Sequence, residues 1–190
     1  MRTPVERKVN RVDVLKSAFE CLMENGLEKT STRLLSEYTG LKSSSLYYWF
    51  KDKDDLIVEA TEFGLSVIVE KSLKLAMQYI DDMEMFFKEF ILAFKEYTKA
   101  SKLIIHVASS PTYGQRLVGE NGKFEKLYYD FTIKLAETLG VEYAQLRPIV
   151  NLFIATINDC AIWEQWDKFE NQVNYLAGLI SNLKSLHGEK

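Results

Sequence analysis

From Asp54 to Ile80 the chain runs without a proline, and apolar residues return at helical intervals: Leu56, Ile57, Ala60, Phe63, Leu65, Ile68, Leu73, Ala76, Met77, Ile80. Steps of three and four place such residues on one side of a helix, not on alternating faces of a strand. The same periodicity covers most of the chain. Only 3 prolines and 9 glycines punctuate 190 residues, too few for the turns of a β-sandwich. The expected class is all-α. With 47% apolar residues, there is enough material for a sizeable core.

Further along, the pattern predicts helices over Met83–Thr98, Ser101–Ala108, Gln115–Leu139, Tyr143–Trp166 and Asn171–Leu186, with Ser109–Gly114 as a loop. The first third is more finely divided. Val12, Leu15, Ala18, Phe19 and Leu22 form an amphipathic helix that Asn25-Gly26 stops. Thr30 or Ser31 caps a short helix carrying Leu34, Leu35 and Tyr38 inward. Thr39-Gly40 turns the chain, and Leu46, Tyr47 and Phe50 then recur at helical spacing within Leu41–Lys51. A bracing helix followed by two short helices around a glycine turn is a helix-turn-helix arrangement. The expected division is a head over residues 1–53 and a helical body over 54–190.

Charge follows that division. Residues 1–53 hold ten Lys/Arg against seven Asp/Glu, and the rest holds 14 against 20. A basic head on an acidic body suits a polyanion partner. In a helix-turn-helix the second helix enters the major groove, so small polar side chains at its start let the backbone approach. Lys42, Ser43, Ser44 and Ser45 meet that need. Tyr47 can set its hydroxyl on a phosphate, Tyr48 can offer its ring to a thymine methyl, and Lys51 and Lys53 can neutralise phosphates.

The stretch Gly40-Leu41-Lys42-Ser43-Ser44-Ser45-Leu46-Tyr47-Tyr48-Trp49-Phe50-Lys51-Asp52-Lys53-Asp54-Asp55-Leu56, with Ala18-Phe19, Gly26 and Thr30 upstream, resembles the DNA-binding motif of TetR-type transcriptional regulators. The resemblance covers about the first sixty residues; beyond them it extends to helix number and length. It departs from the family at three places. Lys42 stands where a serine is usual, which moves the expected N-cap to Ser43. Ser44 replaces a small glycine or alanine, and Trp49 replaces a histidine. The resemblance implies that Ser43, Ser44 and Tyr48 read bases and that Thr32, Ser45, Tyr47, Trp49 and Lys53 contact phosphates. Arg2, Arg7, Lys8 and Arg11 would add an arm along the DNA.

The resemblance also implies a C-terminal ligand-binding and dimerisation domain, a palindromic double-stranded DNA operator and a repressor released by an effector. A dyad of two heads reads more sequence than one. The expected homodimer face lies on the last two helices, Leu152, Ala155, Ile162 and Trp166 on the first and Leu176, Leu179, Ile180 and Leu183 on the second; the same faces also read as the chain's own core, since two helices offer more than one apolar face. Aromatic residues crowd the middle of the chain and read either as core or as the wall of a site for a small apolar or aromatic effector. The expected ligand contacts are Phe90, Phe94, Tyr97, His106, Tyr128, Phe131, Asn158 and Trp163, with His106 open between core and ligand roles.

No nucleophile–base pair, phosphate-binding glycine loop or metal-ligand spacing stands out, so neither an enzyme nor a cofactor is expected. Cys21 and Cys160 read as buried thiols of a reducing cytosol, Met1–Arg11 lacks the apolar run of a signal peptide, and no apolar stretch is long enough for a bilayer. The expected location is cytoplasmic. The competing readings are a DNA-binding regulator without a ligand and a helical adaptor that binds protein.

Overall fold

The computed structural model describes residues 9–118 and 122–188. These residues form helices α1 (Arg11–Asn25), α2 (Thr32–Thr39), α3 (Ser43–Trp49), α4 (Lys53–Gln78), α5 (Met83–Ser109), α6 (Gly114–Val118), α7 (Lys123–Leu139), α8 (Tyr143–Trp163) and α9 (Trp166–Gly188), with no strand among them. None is long and apolar enough to cross a membrane. The chain divides into two compact units, Met1–Gly64 and Leu65–Lys190. The division falls within α4 instead of at residue 53, because the first turns of α4 belong to the head. There Arg11 forms an ion pair with Glu59, and the Phe19 ring lies against Gly64.

In the head, α1 opens with a reciprocal cap: the Asn10 side chain accepts from the Asp13 backbone N–H, and the Asp13 carboxylate accepts from that of Asn10. Val14, Leu15, Ala18, Phe19, Cys21 and Leu22 are buried along one side. The end of α1 is tied to α2 through Asn25, whose amide donates to the Cys21 carbonyl and to Tyr38 Oη, both at 3.0 Å. Tyr38 Oη in turn donates to Glu24 at 2.6 Å, which raises its pKa. Ser31 is the N-cap of α2. Thr30 is instead buried and donates to the Gly26 carbonyl at 2.7 Å.

In the body, Phe86, Phe87, Phe90 and Phe94 form a ladder on α5. Phe153 of α8 packs against two of these rings, with centroids 5.4 Å from Phe87 and 4.8 Å from Phe90. Phe169, Val173, Leu176 and Ile180 of α9 close the same core. Three expected boundaries change. α5 is continuous to Ser109, because the small, buried Ser101 keeps the inward stripe alive where the apolar count lapses. The helix expected over Gln115–Leu139 is two, and Gly122 begins the second. α8 ends at Trp163, where Glu164 takes the left-handed conformation (φ 55°), so Trp166 opens α9.

Candidate nucleic-acid interface and effector cavity

A seven-residue helix has too few internal hydrogen bonds to stand alone. α3 is held by Leu46, 2% exposed, and by Phe50 at its C-cap, equally buried. The Arg11 guanidinium lies 4.9 Å from the centre of the Phe50 ring. Gly40 makes the turn from α2 to α3 possible, since its φ of 69° lies in the left-handed region that side chains disfavour. The N-cap of α3 is Lys42, with no side-chain cap bond, and Ser43 is the first helical residue. The expected move of the cap to Ser43 is therefore corrected.

With its inner face anchored, α3 turns its leading edge outward. Lys42, Ser43, Ser44, Ser45, Tyr47 and Tyr48 are exposed, Tyr48 at 84%. Two hydroxyl pairs bridge α2 and α3: Thr32 Oγ1 to Tyr47 Oη at 3.2 Å, and Ser36 Oγ to Ser43 Oγ at 3.1 Å. Ser44, Ser45, Tyr48 and Trp49 line one shallow groove; Lys42 and Ser43 line another with Arg33 and Ser36. Lys53 is half-buried at the start of α4. Lys42, Lys51 and Lys53 form no ion pair among the described residues, which leaves their charge for an outside anion. Sequence reasoning passed over Ser36 and Arg33. Ser36 lies one turn after Thr32, so its face was legible from spacing. Arg2, Arg7 and Lys8 of the expected arm lie outside the described residues; Arg11 is exposed, and its guanidinium is engaged by Glu59 and the Phe50 ring.

The body holds an apolar cavity of about 80 Å³ bounded by α4, α5, α7 and α8. Phe90, Phe94, Tyr128, Phe131 and Asn158 line it, joined by Ser72 and Ser101 as further polar groups. Burial pushes the Tyr128 phenol pKa up, so it keeps its proton and remains a donor. Three expected contacts fall outside the lining. Tyr97 Oη accepts from Lys71 Nζ at 2.8 Å. His106 is exposed near the end of α5, and Trp163 is exposed at 66%, both because their helix faces point away from the cavity.

The expected dimer residues also divide. Leu152, Ala155 and Ile162 are exposed on α8, together with Trp163, while α9 exposes Tyr175 and Gly178. Leu176 and Ile180 are consumed by the protein's own core, with Leu179 and Leu183 half-buried against it. The Trp166 ring packs 6.0 Å from both Phe94 and Phe169.

A buried anchor under an exposed, hydroxyl-rich third helix, joined to an all-α body, defines a helix-turn-helix protein with a separate helical domain. Residues 14–60 match the family described as bacterial regulatory proteins, tetR family. The chain is 33% identical over 61 residues to an HTH-type transcriptional repressor of Mycobacterium tuberculosis and to an uncharacterized HTH-type transcriptional regulator of Mycobacterium bovis. Those stretches cover 32% of this chain and 23% of each relative, so the match spans about a quarter of the relatives' length. Two solved structures share the fold at 18% identity. One is described as a TetR-family transcriptional regulator from Mesorhizobium loti (TM-score 0.64, covering 92% of this chain and 97% of that one). The other is a transcriptional regulator from Rhodococcus sp. Rha1 (TM-score 0.61, 90% and 96%). Through residues 14–60 of its head, the chain matches the tetR family of bacterial regulatory proteins, and its fold is that of the Mesorhizobium loti structure.

Proposed function

We propose that this chain is a transcriptional regulator that binds a palindromic double-stranded DNA operator as a homodimer and lets go when a small apolar or aromatic effector fills the body cavity. One observation carries the DNA reading: the hydroxyls of Ser43, Ser44 and Ser45 and the ring of Tyr48 face solvent from a helix pinned beneath by Leu46 and Phe50. Ser43, Ser44 and Tyr48 read bases. Thr32, Ser45, Tyr47, Trp49 and Lys53 position the backbone, with Lys42 beside them. The Thr32–Tyr47 pair offers two hydroxyls to one phosphate. Relatives named as repressors support repression as the output.

Dimerisation uses the exposed face of α8 and α9 around Leu152, Ile162, Trp163 and Tyr175. The effector acts by binding the released state more tightly than the DNA-bound one, with α4 as the element whose position differs between them. The test is a gel shift of random genomic fragments at several salt concentrations. Binding that weakens steeply with salt supports the reading. No shift at low salt refutes it and leaves the protein-binding adaptor.

A further inference from the structure

The proposed effector cavity does not end among its phenylalanines. Tyr128, Ile154 and Asn158 line it and also line a groove of about 350 Å³ between α7 and α8 that carries Glu125, Thr132, Arg147 and Asn151. Along α8, Arg147, Asn151, Ile154 and Asn158 share one face at steps of four, three and four. That face leads from a cation, past the Asn151 amide, to Ile154 and Asn158, which line groove and cavity alike. At 1.5 Å per residue, Arg147 and Ile154 lie roughly 10 Å apart along the helix.

Arg147 is held ready for an anion. Its guanidinium sits 5.9 Å from the centre of the Tyr143 ring, and Tyr143 meets Tyr129 edge-on at 5.3 Å. No carboxylate among the described residues forms an ion pair with it, although Glu125 lines the same groove. A guanidinium presents paired N–H groups that match a carboxylate's two oxygens. Asn151 and Asn158 add amide donors, and Tyr128 lines both groove and cavity.

We propose that the effector is an amphipathic monocarboxylate, its apolar body in the cavity and its carboxylate on Arg147. This inference rests on the cavity being the effector site. Glu125 opposes the incoming anion and so sets an upper limit on its affinity.

The test is calorimetry on the full chain with four probes: octanoate, 1-octanol, octylamine and acetate. Octanoate should bind about tenfold or more tightly than octanol, and acetate should not bind. Arg147→Gln, a change at an exposed position, should abolish that advantage while octanol binding is unchanged. Glu125→Gln should tighten octanoate alone. Equal binding of octanol and octanoate, or an Arg147→Gln effect shared by both, overturns the carboxylate assignment while the cavity stands. Preference for octylamine that depends on Glu125 overturns it in favour of a cation. Failure of all three eight-carbon probes removes both the assignment and the cavity reading.

Discussion

Gly64→Ala sets helix propensity against packing. Gly64 lies inside α4, and its φ is not in the left-handed region. Propensity alone favours alanine there by about 1 kcal/mol. A Cβ, however, would stand 2.2, 2.3 and 2.6 Å from three atoms of the Phe19 ring. Carbon atoms prefer roughly 3.5–4.0 Å, so the ring must retreat by about an ångström. Phe19 is 8% exposed and has little room to do so. Overpacking of this kind costs about 1–3 kcal/mol. The net expectation is a loss of about 1 kcal/mol, opposite in sign to propensity. Urea unfolding followed by far-UV circular dichroism measures it, with hydrogen exchange of the α1 amides locating the loss in the head. Phe19→Leu in the same chain should relieve the clash, giving a favourable coupling in the double-mutant cycle. A Gly64→Ala protein more stable than the parent would show that α4 does not pack on α1 as described.

Other perturbations separate the roles of single side chains. Lys53→Ala should weaken binding to all DNA sequences alike and reduce the salt slope by about 1, read from titrations at several salt concentrations. Tyr48→Ala should leave stability unchanged, since the ring is in solvent, yet alter preference at particular base pairs by roughly 1–3 kcal/mol in competition binding. Leu152→Arg places a charge in the proposed dimer face and should yield monomers in analytical ultracentrifugation without loss of helical signal. Cys21 and Cys160 are buried, and burial pushes both thiol pKa values up. Neither should react with a disulfide reagent at neutral pH until the protein is unfolded.

The head was legible because each of its parts is signalled locally. Asn25-Gly26, Ser31 and Gly40 fix the ends of α1 and α2 by backbone chemistry that needs no tertiary context. The cap of α3 was misplaced because a lysine there offers no acceptor, and the helix begins on packing through Leu46 instead. In the body, periodicity found the helices but not their joins. Ser101 hid the continuity of α5 by being polar yet buried, and Glu164 ends α8 without a glycine. Tyr97, His106 and Trp163 look like Phe90 and Phe94 in sequence. Which aromatic residues face a cavity depends on how four helices are rotated about their axes, and apolar spacing alone does not specify that rotation. The same limit explains why spacing left Leu176 and Ile180 open between interface and core, and the core takes them.

Selection of bound DNA from a random pool, followed by sequencing, tests the central claim most directly. The account predicts an inverted repeat whose half-sites lie about one helical turn apart, roughly 34–36 Å, or a multiple of it. It also predicts that repeating the selection with Ser44→Ala or Tyr48→Ala changes the preferred bases within each half-site. Recovery of unrelated sequences, or of a motif indifferent to both substitutions, would contradict the assignment of α3 as the helix that reads DNA.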